Sequence, residues 1–208
     1  MVMSSSHTTV DDLTLERARR GDRDALGVIW QTYHPQVLRF LRSKRATSAE
    51  DVASQVWIDV ARAIGRFDGD GRDLQRWIFT IASRRSLDEH RRSSRRRDLA
   101  NVVVLNERLE EPSDDGHEDL DAMDEAIALL RRLPPTMASA VMLREVLDMT
   151  VADTAEVLDC SESNVRVMTH RGLTRLRAML AERSQRERGA TAAGAPVSIA
   201  ASSPPPLG

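Results

Sequence analysis

Residues 161–180 read SESNVRVMTHRGLTRLRAML. At 3.6 residues per turn, Val165, Thr169, Gly172, Leu176 and Leu180 form one stripe of a helix. Arg166, Val167, His170, Arg171, Thr174 and Arg177 fall on the opposite face, which is basic and carries hydrogen-bonding groups. Met168 turns toward the flank of the apolar stripe. Periodicity alone fits two readings of the outer face. It is either the solvated side of an ordinary bundle or a surface that reads a ligand.

The preceding segment favours the second. TVADTAEVLD (150–159) is a short helical pattern with Thr150 and Asp153 in the places of a capping box. A tight turn at Asp159–Ser161 follows, and Ser161 caps the next helix. Helices of about ten and twenty residues joined in this way describe a helix-turn-helix. In that motif the second helix presents its first turns to the DNA major groove. Arg166 and Arg171 there can meet guanine edges, worth roughly 1–3 kcal/mol per good bidentate pair, or neutralise phosphates. Cys160 in the turn reads as a small apolar plug. His170 has no His or Cys at ligand spacing, so no metal is expected.

Working outward, 123–133 and 136–148 continue the helical pattern, separated by Pro134-Pro135. Upstream, 99–122 is acidic, contains Pro112 and Gly116, and reads as a flexible linker. Residues 12–98 form a second helical block. Leu26, Ile29, Trp30, Tyr33, Val37, Phe40 and Leu41 recur at helical spacing, with Pro35 predicting a kink or break near His34. Thr47 or Ser48 can cap the next helix, striped by Val52, Val56, Val60 and Ile64. FDGDGRD (67–73) reads as a glycine-rich loop. A further helix carries Leu74, Trp77, Ile78 and Ile81, with Trp77 in the core, into an arginine-rich run. The only strand-like segment is NVVVL (101–105), short and isolated. Residues 1–11 and 187–208 have the composition of disordered tails.

Composition sets limits on function. The 208 residues carry a formal charge of −2, yet arginines crowd 84–97 and 166–188 while acids crowd 107–125. Two separated basic blocks suit nucleic acid at two places. Aromatics, at 3%, are too few for large cores. One cysteine excludes an internal disulfide framework. The N-terminus has no signal-peptide pattern, and no apolar run approaches the roughly 20 residues that span a bilayer. A soluble, cytoplasmic protein without membrane insertion is expected. His90 beside Asp88 and Glu89 lacks a nucleophile motif, phosphate loop or metal spacing, so neither catalysis nor a cofactor is expected.

The segment 130–180, from LRRLPPTMASAVMLREVLD to the closing RLRAML, resembles the fourth region of sigma-70-family RNA polymerase sigma factors. GDRDALGVIWQTYHPQVLRFL, AEDVASQVWIDVARAIGRF and LQRWIFTIASRRSLDEHRR resemble successive parts of the second region, in the expected order. Two modules with only a linker between are similar to the compact extracytoplasmic-function (ECF) subgroup. The resemblance implies an all-α protein of two small domains, region 2 at 12–98 and region 4 at 123–186. It implies promoter recognition in company with RNA polymerase core, through its β′ clamp helices and β flap, and a dedicated anti-sigma factor. Asp51, Ser54, Gln55 and Trp57 would meet the polymerase. The family often has Gln where Ser54 stands. Phe67, Asp68, Gly69, Asp70 and Gly71 would capture a base of the minus-ten element, with Arg84, Asp88, Arg91 and Arg92 contacting its bases and phosphates. Many relatives carry Asn in place of Arg84. Ser163, Asn164, Arg166, Val167, His170 and Arg171 would read the minus-thirty-five element. A free-standing helix-turn-helix regulator is the alternative, with 12–97 as a sensor or dimerisation domain.

Overall fold

The computed structural model of the protein describes residues 10–44, 48–101 and 122–193. All regular structure among them is helical: α1 Asp12–Arg19, α2 Arg23–Ser43, α3 Ala49–Ala63, α4 Gly71–Asn101, α5 Ala122–Arg131, α6 Pro135–Val141, α7 Val151–Leu158 and α8 Glu162–Ala193. The Thr47 cap, most of the NVVVL segment and nearly all of the acidic linker lie outside the described residues.

Local chemistry sets the element boundaries in the N-terminal module. Asp11 accepts the Thr14 amide at 2.9 Å and opens α1, and Gly21 at φ +84° turns the chain after it. Asp22 then caps α2 by accepting from the Asp24 and Ala25 amides. Val10 is buried, so the ordered core begins inside the expected tail. Ile29, Tyr33, Val37, Phe40 and Leu41 are at most 1% exposed along α2. Removing each such side chain from water contributes about 1.5–3 kcal/mol.

Pro35 does not break α2. It is exposed, and the helix runs through it for 21 residues. Nearby, the Gln36 side-chain Nε2 donates to the Thr32 carbonyl at 3.2 Å and the Thr32 hydroxyl to the Val28 carbonyl. The buried stripe on both sides of Pro35 outweighs the one backbone bond it removes.

The valine stripe of α3 is buried together with Ile64, which closes the helix in a 3₁₀ turn. Ser48 begins α3, but its hydroxyl donates to the Asp51 carboxylate instead of accepting a helix amide. In α4, Leu74, Ile78, Phe79 and Ala82 face the core, and Phe79 meets Phe40 edge-on at 5.5 Å.

In the C-terminal module, α5 leads through Leu133 into α6, whose Ala138, Ser139, Ala140 and Val141 are all buried. A π turn, Met142–Val146, follows, and the Arg144 guanidinium donates to the Met149 carbonyl to hold the approach to α7. Thr150 accepts the Asp153 amide at 3.0 Å, the N-cap half of the capping box expected from sequence, while the Asp153 carboxylate accepts from the Thr150 hydroxyl at 2.6 Å rather than from its backbone amide. Val165 and Gly172 of α8 are buried, with Leu173, Leu176 and Met179 packed against the core. Leu180 is 45% exposed and drops out of the predicted stripe. The helix continues to Ala193, past the bound at 186.

The two modules pack on each other. Helix α4 lies along α7, α2 touches α5 and α6, and one buried apolar cluster runs from Val10 to Val157.

Candidate nucleic-acid and polymerase interface

The helix-turn-helix geometry rests on one backbone choice. Asp159 adopts the left-handed conformation (φ 50°, ψ 53°) just past α7, and the Cys160 amide closes onto the Ala155 carbonyl at 3.0 Å. Asp tolerates this region better than most residues. The chain reverses, Ser161 accepts the Asn164 amide at 3.3 Å, and α8 begins. Ser163, Asn164, Arg166, Val167, His170 and Arg171 all stand exposed on its first turns. Val167 is 42% exposed, an apolar side chain with no core to fill. Arg166 is paired with Glu162 at 2.6 Å, one turn back. Burial and the Asp159 charge push the half-buried Cys160 thiol upward, away from thiolate reactivity.

The predicted minus-ten residues divide into two groups. Arg84, Asp88, Arg91 and Arg92 are exposed along α4. The loop is shorter than its glycines suggested: Gly71 is buried in the first turn of α4, and the irregular stretch is Phe67–Asp70. Asp70 ends it by accepting the Arg72 and Asp73 amides at 2.8 and 3.0 Å, which hold its carboxyl below the ordinary range. Asp68 is exposed. Phe67 is half-buried, 4.8 Å from the Trp77 ring and under the Arg19 guanidinium at 5.4 Å. That ring pair keeps Trp77 at the core margin rather than inside it. Arg19 also donates to the Gly69 carbonyl at 2.5 Å. Sequence reasoning missed Arg19, because a contact across 50 positions leaves no local pattern.

Gly69 is required by the fold. It has φ +158°, and a Cβ there would lie 2.7 Å from Asp73 Cβ and 2.9 Å from Phe67 Cζ. Gly69→Ala is therefore expected to destabilise the loop by about 1–3 kcal/mol. Faster amide exchange over 66–74, with α8 unaffected, is the readout.

On α3, Asp51, Ser54 and Gln55 are exposed on one face, which also carries Ile58. Asp51 additionally holds the Ser48 hydroxyl. Asp51 and Gln55 share an open cleft of about 230 Å³ with Asp88 and Arg92. The structure thus brings part of the polymerase set and part of the minus-ten set to one place. Below it, the Arg85–Asp59 ion pair at 2.5 Å ties α3 to α4.

Trp57 is half-buried, and its Nε1–H donates to His34 Nδ1 at 3.0 Å. His34 stacks on Trp30, centroids 4.5 Å apart. Burial lowers the His34 pKa below 6.5, because withdrawing the ring from water disfavours its charged form. A depressed folded value means that the unfolded chain takes up the proton first. Stability is therefore full above pH 6.5 and is lost as pH falls toward the depressed value. Thermal melts should show this slope in the wild type and a flatter one in His34→Phe.

Among the described residues there is no cluster of metal ligands and no helix long and apolar enough to cross a membrane.

Two helical modules, one ending in an exposed helix-turn-helix and the other in a basic helix beside a charged cleft, present two exposed basic surfaces. Residues 29–96 match the family model described as Sigma-70 region 2, and 123–176 the model described as Sigma-70, region 4. The ECF RNA polymerase sigma factor ShbA of Streptomyces griseus is 32% identical over 189 residues, 85% of this chain and 98% of that protein. BldN, an ECF RNA polymerase sigma factor of Streptomyces coelicolor, is also 32% identical; the match covers 80% of this chain and 64% of BldN. Among solved structures, the sigma factor RpoE in complex with the anti-sigma factor NepR, from Bartonella quintana, aligns with a TM-score of 0.56. That match has 20% identity and covers 74% of this chain and 96% of RpoE, a likeness of fold. The chain belongs to the ECF group of sigma-70-family RNA polymerase sigma factors, DNA-binding factors of transcription initiation.

Proposed function

We propose that this chain directs RNA polymerase core to promoters by reading the minus-thirty-five element with α8 and the minus-ten element with α4 and the Phe67–Asp70 loop. The observation that carries the reading is the exposure of all six predicted reading residues at the N-terminal end of α8. Phosphate contacts from Arg91 and Arg92 position the duplex, and base contacts from Arg166, Val167 and Arg171 select it.

The α3 face of Asp51, Ser54 and Gln55 docks on the β′ clamp helices, with Trp57 set behind it by His34. Region 4 meets the β flap. The polymerase supplies the chemistry, and this chain needs no catalytic group of its own. It acts in the cytoplasm. A dedicated anti-sigma protein binds and restrains it, a reading supported by the likeness of its fold to RpoE in complex with the anti-sigma factor NepR.

Mobility-shift and transcription assays with purified core test the proposal. Promoter fragments selected from genomic DNA should be bound and transcribed only when chain and core are both present. Tight operator binding by the chain alone, with no gain from core, would overturn it in favour of a free-standing regulator.

A further inference from the structure

The Phe67–Asp70 loop is held from α1, a helix far upstream of it in the chain. Arg19, the last residue of that helix, reaches the loop with both backbone and side chain. Its Nη2 donates to the Gly69 carbonyl at 2.5 Å, and its guanidinium covers the Phe67 ring at 5.4 Å. Trp77 lies 4.8 Å from the same ring. Gly65 lets the two segments approach, since a Cβ there would lie 3.3 Å from the Arg19 carbonyl oxygen. On α1 itself, the Glu16 carboxylate accepts from Arg19 Nη1 and steadies the guanidinium. A planar group can donate in its plane while its face covers a ring, which an ammonium cannot do.

Fold stability alone does not account for an arginine at this place. The side chain is 20% exposed, and its Nε is buried without a partner among the described residues. A buried donor left unpaired costs stability. What Arg19 secures is the position of one carbonyl and one ring in the loop.

These contacts also sort the loop's own side chains. Phe67 is engaged by Arg19 and Trp77, and Asp70 by the Arg72 and Asp73 amides. Asp68 is exposed and makes no hydrogen bond or ion pair among the described residues. Its carboxylate is the acceptor that the loop leaves for a ligand.

We propose that Arg19 is a positioning residue for promoter reading: it fixes the Gly69 carbonyl and the Phe67 ring so that Asp68 is presented to a minus-ten base. Phe67 is then the floor of the site and Asp68 its contact group, while Arg19 touches no nucleotide. The inference rests on the assignment of Phe67–Asp70 as a minus-ten reader. It extends that reader to a helix outside residues 29–96, the part matched by the region 2 model. A contact group on a loop selects a base only when it is held to within about 0.5 Å, which four irregular residues need outside support to achieve.

The test uses the full chain with polymerase core on promoter fragments selected by the wild type, each minus-ten base replaced in turn. The rate of open-complex formation is measured on each fragment. Asp68→Asn should lower discrimination at one base position. Arg19→Met, which keeps apolar length but removes every donor, should lower it at the same position about fivefold or more. Arg19→Lys restores one donor without the planar cover and should recover part of the loss. The Arg19→Met, Asp68→Asn double variant should lose little beyond Asp68→Asn alone. Affinity for core and dependence on the minus-thirty-five element should stay as in the wild type.

The proposal is overturned if Arg19→Met keeps full discrimination, or if it slows every fragment equally, as a merely structural residue would. It is also overturned if Asp68→Asn changes discrimination at no position. Failure of the function reading looks different: no complex forms between the wild-type chain and core. Amide exchange over 66–74 would then still report whether Arg19 holds the loop, and rates unchanged in Arg19→Met would refute that hold independently.

Discussion

Gly172→Val is expected to remove most of the stability of the α5–α8 module. Gly172 is buried midway along α8, and a Cβ there would lie 2.6 Å from Val141 Cγ2 and 3.6 Å from Leu133 Cδ1. Val141 is 3% exposed and β-branched, so its methyl has little room to yield. Overpacking of a filled core costs about 1–3 kcal/mol, and valine adds two methyls beyond the first clash. A core of this size supplies only about 3–5 kcal/mol. Gly172→Ala should cost less, because alanine recovers about 1 kcal/mol of helix propensity. A steric origin requires coupling: in a Val141→Ala background Gly172→Ala should become neutral or stabilising. Chemical denaturation of the four variants measures it, and equal costs in both backgrounds would refute the contact.

Arg171→Ala is expected to lower transcription from a cognate promoter by roughly 5- to 150-fold, corresponding to about 1–3 kcal/mol for a lost base contact. Arg166→Ala should cost less. Arg166 must leave Glu162 before it can reach a base, so part of its gain is offset. Both partners are at least half exposed, so that pair contributes about 1 kcal/mol or less. Glu162→Gln should accordingly strengthen binding slightly. A loss that is uniform across promoter variants would reassign Arg171 to a phosphate contact.

Much of the fold was legible because its signals are local. The Val52–Val56–Val60–Ile64 stripe, the Thr150 N-cap of α7 and the Ser161 start of α8 each depend on residues within one or two turns. All three stand in the structure as read. Pro35 misled because a local rule met a tertiary one: the core contacts of α2 on both sides outweigh the lost backbone bond. Gly71 misled for the opposite reason, since Asp70 captures its following amides and starts a helix where two glycines suggested a loop. Leu180 was placed by periodicity alone, and by that turn α8 has run past the core it packs on.

The helical class, the two modules and the outward-facing residues of α8 can all be read from the linear string. Periodicity, capping and charge act over one or two turns, so neighbouring letters record them. Packing alone established that Arg19 holds the Gly69 carbonyl, that Trp57 donates to His34, and that Gly172 makes room for Val141. The same is true of Arg76, which bridges both modules across 77 positions to Asp153. Such contacts join side chains that are distant in the chain, and their partners become neighbours only when the helices pack.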